Sequence, residues 1–299
     1  MHAHPHPERN KMEKKSILVL IASILFLLIT VVPGMGRELE LKFAITSAVG
    51  SDPSFSNYKE LTEYIAKKAG RKSVFISGFT YNQVDNLFQK GQVDIGFLCN
   101  THYARRSKAV GFEPIAAPVV TGYGKTKFQI YIIVNKDSGI TSLEGLRGKT
   151  VDFSDPLSTT TIYGANMLLK MNETIKSYFG KAIYSGSHDM TIELVANGLA
   201  DAGFIDGHIW DYHDKVSPDY SKKTKVIHRS SDFTIPPVVV SKTTGKALRA
   251  EIKRILFTMH EDAEGSDILK KLRIDKFKDV KGADYQDVLQ MYEKVKDRI

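Results

Sequence analysis

From Leu41 onward, short apolar runs alternate with stretches that have the periodicity of an amphipathic helix. Residues 41–46, 74–77 and 93–98 have strand length, whereas 58–70 and 80–91 place their apolar side chains on one helix face. An alternation of this kind predicts a sheet of mostly parallel strands with helices on both faces. We therefore predict an α/β protein.

One sequence motif within this pattern, here called the repeated phrase, occurs twice. Lys-Gly-Gln-Val-Asp-Ile-Gly-Phe at 90–97 is similar to Asn-Gly-Leu-Ala-Asp-Ala-Gly-Phe at 197–204, and each phrase follows a helical stretch. Gly91 and Gly198 stand where a helix ends in a left-handed residue. Their separation, 198 − 91 = 107 residues, is too long for a solenoid repeat and suits two similar α/β lobes.

Two apolar segments, 128–134 and 233–241, lie between these units. We predict that they cross from one lobe to the other and act as a hinge beside a cleft. In this organisation residues 37–130 form lobe 1 and residues 131–234 form lobe 2. Residues 235–299 return to lobe 1 with the C-terminal helices.

Residues 1–36 have the pattern of a secretory signal. Basic residues precede an apolar run at 17–32, and Gly34 and Gly36 supply small residues before a cleavage point. The alternative is an uncleaved N-terminal membrane anchor, since the run is only slightly short for a transmembrane helix. No cysteine follows the run, which excludes a lipoprotein anchor. Either way, we predict an exported, periplasmic domain.

Composition excludes several classes of protein. The net charge of +8 comes from 42 Lys and Arg against 34 Asp and Glu, a small excess that does not argue for nucleic-acid binding. Cys99 is the single cysteine, so an intramolecular disulfide and a cysteine-based zinc site are excluded. His208 and His213 are five residues apart and do not share a helix face, so we predict solvated surface there. No metal and no cofactor are expected.

A hydroxyl-rich segment, Asp-Pro-Leu-Ser-Thr-Thr-Thr at 155–161, joins a predicted strand to a predicted helix. One hydroxyl suffices to cap a helix, so four in succession favour binding of an anion at the helix N-terminus. Further helix starts are predicted at Thr80-Tyr81, which opens a capping box with Gln83, and at Ser187-His188-Asp189. Asp206 follows a strand of lobe 2 as Cys99 follows one of lobe 1.

Several of these motifs together resemble a known family. They are Asp-Pro-Leu-Ser-Thr at 155–159, Tyr-Ser-Gly-Ser-His-Asp at 184–189, Val-Ala-Asn-Gly-Leu-Ala-Asp-Ala-Gly at 195–203 and Pro-Pro-Val-Val-Val at 236–240. They are similar to the phosphate/phosphite/phosphonate-type periplasmic solute-binding proteins of ABC importers. A motif of the first lobe, Gly-Gln-Val-Asp-Ile-Gly-Phe at 91–97, is similar to the same family. The resemblance extends from about Lys42 to the end of the chain. It implies the two-lobed, hinged type II periplasmic binding protein fold.

The resemblance also implies a set of ligand-binding residues. The oxyanion would be held by hydroxyls of a helix start, a histidine and tyrosines of lobe 1, with one carboxylate that accepts a hydrogen bond from a protonated ligand. In this chain these are Ser158, Thr159, Thr160, His188, Tyr81, Tyr103 and Asp206. Such a site satisfies an oxyanion without a buried lysine or arginine, and its carboxylate rejects ligands that have no proton to donate.

Two residues depart from the family pattern. Thr161 stands where the family has glycine, and a β-branched side chain there is expected to narrow the pocket against a bulky organophosphonate. Cys99 resembles the cysteine of sensor-type members, some of which bind arsenite through a thiol. The alternative for Cys99 is a buried strand-end cysteine with no ligand role.

The predicted function is a monomeric binding protein that delivers a small phosphorus oxyanion (phosphate, phosphite or phosphonate) to an ABC permease. A second possibility is a sensory binding protein that presents an oxyanion or arsenite to the ectodomain of a membrane histidine kinase. A third is an enzyme on the same fold. We do not expect an enzyme, because no G-x-S-x-G elbow accompanies Ser158 and the adjacent side chains of His188 and Asp189 point apart.

Overall fold

A computed structural model of the protein describes residues 39–46 and 54–299. The predicted signal segment, residues 1–36, lies outside the described residues. Within that part of the chain no helix has both the length and the apolar character needed to cross a membrane.

The described residues form helices and strands in the predicted alternation. The strands are β1 (Glu40–Thr46), β2 (Lys72–Phe79), β3 (Ile95–Phe97), β4 (Phe112–Val120), β5 (Lys127–Phe128), β6 (Ile130–Asn135), β7 (Thr150–Phe153), β8 (Lys181–Tyr184), β9 (Ala202–Asp206), β10 (Thr224–Arg229), β11 (Phe233–Thr234), β12 (Val238–Ser241) and β13 (Ile274–Lys278). The α-helices are α1 (Ser54–Lys68), α2 (Tyr81–Gln89), α3 (Asn100–Arg106), α4 (Thr159–Leu169), α5 (Ile175–Tyr178), α6 (His188–Ala196), α7 (Gly207–Val216), α8 (Lys246–Thr258), α9 (Ala263–Lys271) and α10 (Gln286–Val295).

The first sheet, with its helices, is lobe 1. Its strand order is β13-β4-β12-β3-β1-β2. β1 pairs in parallel with β2 and β3, whereas β12 runs antiparallel to β3 and β4. Side chains of β1 alternate between two apolar cores: Phe43 packs in the core that includes Ile252 of α8, and Ala44 in the core that includes Val84 of α2. Helices therefore cover both faces of this sheet.

The second sheet, with its helices, is lobe 2. Its strand order is β10-β6-β9-β7-β8, with β7 parallel to β8 and β9, and β6 antiparallel to β9 and β10. β9 thus has the place in this sheet that β3 has in the first, between one parallel and one antiparallel neighbour. Gly91 and Gly198, which precede these strands, have positive φ angles of 65° and 72°. The repeated phrase therefore marks the same strand of two similar lobes.

The lobes are joined by β5 and β11, which pair antiparallel with Phe128 opposite Phe233. The predicted crossing segments, 128–134 and 233–241, begin at these strands, and we expected the bending near 130–133 and 236–239 within them. That finer placement is wrong, because Ile130–Asn135 is β6 inside the second sheet and Val238–Ser241 is β12 inside the first. The apolar runs continue from the crossing strands into the sheet strands that follow them. Hydrophobicity alone therefore could not show where the crossing ends and the sheet begins.

The last helix, α10, packs on both lobes. Val288, Met291, Tyr292 and Val295 recur at helical spacing and give it one apolar face. Val288 lies in a core of lobe 1, Val295 lies in a core of lobe 2, and Asn166 Nδ2 of α4 donates to Met291 O over 2.8 Å. The predicted return of residues 235–299 to lobe 1 therefore does not describe α10.

Candidate functional site

The predicted ligand-binding segments lie at the starts of three helices. Ser158 caps α4, and its Oγ accepts a hydrogen bond from Thr161 N at 3.2 Å. Ser187 caps α6 in the same way, and Thr80 forms the predicted capping box with Gln83 at the start of α2. The first turn of each helix presents N–H groups that have no acceptor within the helix, and the helix dipole adds positive potential.

A hydroxyl cluster at the start of α4 connects the two lobes. Ser158, Thr159 and Thr160 are all buried, and Ser158 Oγ lies 2.8 Å from Thr160 Oγ1. Thr159 Oγ1 reaches across to lobe 1, where it lies 3.1 Å from Thr101 Oγ1 and accepts from Thr101 N over 3.3 Å. It also lies 3.3 Å from Cys99 Sγ. The starts of α3 and α4 therefore meet through Thr159.

Tyr81 brings a buried hydroxyl to the same place. Its ring packs with Cys99 of lobe 1 and Leu157 of lobe 2. Among the described residues its hydroxyl has no oxygen or nitrogen partner, only the neighbouring Cys99 thiol, which bonds weakly. Burial raises the pKa of Tyr81 well above its ordinary value, so the phenol stays protonated and can donate. Burial, with the negative charge of Asp206, also raises the pKa of the Cys99 thiol.

His188 and Asp206 form the lobe 2 side of the site. Both are buried, with His188 Nε2 3.5 Å from Asp206 Oδ2. His188 Nδ1 and Asp206 Oδ1 have no partner in the described part of the chain. Burial acts to raise the pKa of Asp206, but the interaction with His188 outweighs it and holds that pKa below its ordinary value. The carboxylate is therefore ionised and can only accept hydrogen bonds.

A cleft between the lobes adjoins this pair. Its lining includes His188, Asp206 and His208 of lobe 2, and apolar side chains of lobe 1 such as Ile235. Thr161 does not line this cleft: its Oγ1 donates to the carbonyl of Asp155 over 2.6 Å, within its own loop. Ser158, Thr159 and Thr160 do not line it either, so this cleft does not test the narrowing expected from Thr161, which stays a prediction.

Tyr103 does not join the other predicted residues. One turn into α3, its ring packs edge-on against Tyr285, with 4.9 Å between centroids, in an apolar core of lobe 1. Burial raises the pKa of Tyr103 to about 12. The structure thus places Tyr103 in the packing between α3 and the C-terminal segment.

Three polar residues that were not predicted adjoin the predicted ones, in space or along the chain. Thr101 bonds to Thr159, as described above. Ser154 is buried with no partner for its Oγ, and His208 has a buried, unpartnered Nδ1, both among the described residues. The predicted solvated surface at His208 and His213 is wrong, since His213 is buried and bonds to Asp189. The sequence did offer a signal for His208: it stands two residues after Asp206, which ends β9, and so should lie near the same ligand-binding edge.

This arrangement suits a small oxyanion that carries a proton. Hydroxyls, helix N–H groups, the Tyr81 phenol and His188 can donate, while the Asp206 carboxylate can only accept. Within the described residues no group of three His, Cys, Asp or Glu side chains is placed to hold a metal ion. These polar groups come from both lobes, which meet at Thr101 and Thr159.

Fold and site together define a two-lobed periplasmic binding protein. The model of the family described as "ABC transporter, phosphonate, periplasmic substrate-binding protein" matches residues 43–285. The chain belongs to this family, which confirms the resemblance found in its motifs.

Individual relatives are more distant. The phosphate-import protein PhnD of Mycolicibacterium smegmatis is 27% identical over 173 residues, a match that covers 55% of this chain and 54% of that protein. A binding protein component of an ABC phosphonate transporter from Pseudomonas aeruginosa superposes with a TM-score of 0.78 at 21% identity, over 87% of this chain and 88% of that one. PhnD1 of Prochlorococcus marinus, solved with methylphosphonate, superposes with a TM-score of 0.75 at 19% identity, over 87% of this chain and 99% of that one. These likenesses confirm the predicted fold.

Proposed function

We propose that the protein captures a small phosphorus oxyanion (phosphate, phosphite or phosphonate) in the periplasm and delivers it, as a monomer, to an ABC importer. The observation that carries this proposal is a set of buried polar atoms without oxygen or nitrogen partners among the described residues. They are Tyr81 Oη, His188 Nδ1 and Asp206 Oδ1. The charge of Asp206 acts on both Tyr81 and Cys99, and Cys99 contacts Thr159 of the hydroxyl cluster, so these groups are neighbours. Unsatisfied buried polar atoms are costly, so their presence together favours a ligand that satisfies them.

Each side chain has a distinct part in this proposal. Ser158, Thr159 and Thr160 offer hydroxyls and helix N–H groups to the oxyanion, and Tyr81 and His188 donate from opposite lobes. Asp206 accepts a hydrogen bond from the acidic proton of the ligand. A fully deprotonated anion would face an ionised carboxylate without a proton between them, so the site selects protonated species.

Closure follows from where these groups lie. Tyr81 belongs to lobe 1, and His188 and the α4 hydroxyls belong to lobe 2. A ligand that bonds to both lobes stabilises the closed arrangement in proportion to its greater affinity for that state. The short strands β5 and β11 provide the hinge for this motion.

The test is a thermal-unfolding series followed by calorimetry with phosphate, phosphite, methylphosphonate and sulfate near neutral pH. A bound ligand at about 100 times its dissociation constant adds about 2.7 kcal/mol to the unfolding free energy. We expect at least one phosphorus oxyanion to stabilise the protein and sulfate, which carries no proton at this pH, to fail. Equal stabilisation by sulfate, or none by any phosphorus compound, would contradict the proposal.

A sensory protein that binds arsenite is the second candidate, and the position of Cys99 favours it. The thiol lies within the site, against Thr159. The raised pKa of Cys99 keeps the thiol protonated, whereas the thiolate is the metal-binding form. We therefore place the phosphorus oxyanion first.

A further inference from the structure

We propose that a group of three residues, the buried Asp85 and His102 with the partly exposed Arg106, positions Tyr81 for ligand binding. This group is called the Asp85 cluster below. The inference rests on the proposed function, in which the Tyr81 hydroxyl donates to the ligand. It assigns a positioning role to residues that do not line the cleft.

The cluster is formed by two helices whose residues lie four apart. Tyr81 and Asp85 share one face of α2, and His102 and Arg106 share one face of α3. His102 Nε2 lies 2.6 Å from Asp85 Oδ1, and Arg106 Nε donates to Asp85 Oδ2 over 2.5 Å. Both oxygens of one carboxylate are therefore hydrogen-bonded to α3, one near its start and one at its end, and hold it against α2.

This tie determines the plane of the His102 ring, and that ring determines the plane of Tyr81. The two rings stack with 4.6 Å between centroids and 11° between planes. Phe112 contacts His102 edge-on, at 5.6 Å and 85°. Because the imidazole is held by a hydrogen bond and by a second aromatic contact, the Tyr81 ring packs on a fixed surface. The direction of its hydroxyl is fixed with it.

Stability alone does not explain the cluster. Asp85 and His102 are fully or almost fully buried. Burial acts to raise the pKa of Asp85, but the hydrogen bonds from His102 and Arg106 outweigh it and keep that pKa below its ordinary value. A buried ionic group generally adds no more stability than apolar side chains of the same volume. What it adds here is a defined orientation at the edge of the ligand site.

Orientation matters because a donor that must be ordered on binding weakens the complex. A tyrosine that already points at the ligand position loses little rotamer freedom when the ligand arrives. Among the described residues the Tyr81 hydroxyl has no oxygen or nitrogen partner to hold it, and the Cys99 thiol beside it bonds weakly, so the stacked His102 ring supplies the main constraint.

A double-mutant cycle tests the proposal, with calorimetry on phosphite and methylphosphonate. Tyr81→Phe should weaken binding about tenfold, since one donor to an anion is lost. His102→Leu, which keeps the volume but removes the ring and the donor, should weaken binding about three- to tenfold in the native background. In the Tyr81→Phe background it should have no further effect, because no hydroxyl remains to be positioned. A merely structural role would give additive losses.

The matched control is His228→Leu. His228 also contacts a tyrosine, with its Nε2 2.8 Å from Tyr163 Oη and 6.0 Å between ring centroids, but it lies on β10 of lobe 2. Its substitution should leave affinity unchanged. If His102→Leu does not fold, Asp85→Asn is used in the same cycle.

The outcomes separate the two proposals. Additive losses, or no loss from Tyr81→Phe, would overturn the positioning role while leaving the proposed function intact. A wild-type protein that binds no phosphorus oxyanion would overturn the proposed function itself. Coupling between residues 81 and 102, with none between 81 and 228, is the result we expect.

Discussion

Replacing Thr159 by alanine is the most direct perturbation of the anion site. The substitution removes one hydroxyl from a side chain that is 2% exposed and leaves the backbone of α4 in place. It does not remove the helix cap, because Ser158, not Thr159, accepts the hydrogen bond from the first turn. The perturbation is therefore confined to the contact between α4, lobe 1 and the ligand.

The size of the effect follows from the contacts of this hydroxyl. Thr159 Oγ1 lies 3.3 Å from Cys99 Sγ, and it accepts from Thr101 N over 3.3 Å and from Thr101 Oγ1 over 3.1 Å, so it connects the two lobes. In the proposed function the same hydroxyl donates its proton to the oxyanion, and loss of one buried donor to a charged group costs about 1–3 kcal/mol. We expect binding to weaken by about five- to 150-fold, since 1.4 kcal/mol is a factor of ten.

Calorimetry with phosphite and methylphosphonate measures the affinity, and thermal unfolding without ligand measures the stability. Thr174→Ala is the matched control: Thr174 caps α5 in the same lobe, in an exposed capping box with Ser177. It should lose about 1 kcal/mol of stability and no affinity. If Thr159→Ala loses stability and keeps its affinity, the hydroxyl is a packing element and the anion-site argument fails.

Three other predictions follow from the site and the hinge. Cys99→Ser should keep the affinity for phosphorus oxyanions within about tenfold of the wild-type value, as measured by calorimetry. If instead the wild type binds arsenite, the serine variant does not, and neither binds a phosphorus oxyanion, the sensory candidate is favoured. Solution scattering should show contraction on adding saturating phosphite or methylphosphonate, and unchanged curves with binding proven by calorimetry would contradict a hinge at β5 and β11. Burial lowers the pKa of His208. Below about pH 6.5 the imidazole is therefore protonated in the unfolded chain but stays neutral in the folded chain. The free energy of unfolding then falls as the pH falls, by up to about 1.4 kcal/mol per pH unit. His208→Gln should flatten that slope in denaturant titrations at about pH 7 and pH 5, and equal slopes would refute the assignment.

Local patterns in the sequence predicted the fold well. The repeated phrase ending at Phe97 and Phe204 located the same strand in both lobes, because helix ends need a left-handed residue and glycine supplies it. The hydroxyls at 158–161 located a helix start, because capping depends on a few neighbouring residues. The family resemblance of these motifs then supplied the two-lobed fold.

Features that depend on distant contacts were harder to predict. The motifs did not show that Tyr103 packs on Tyr285, since the two residues are far apart in the sequence. They also did not show that His213 is buried against Asp189, because helix spacing says nothing about a neighbouring helix. The use of Thr101 as a partner of Thr159 required the two lobes to be brought together.

Helix α10 gives the two-lobed protein a third point of connection. Two short strands alone would let the lobes both bend and twist, whereas a rigid helix seated in the core of each lobe at Val288 and Val295 restricts them to motions that preserve both contacts. This restriction matters most for a very small ligand. At a ceiling of about 1.5 kcal/mol per non-hydrogen atom, an anion of about five such atoms contributes about 7.5 kcal/mol at most. Little of that free energy is available to order two independently moving lobes, so a helix that already restricts them suits the small ligand that we propose.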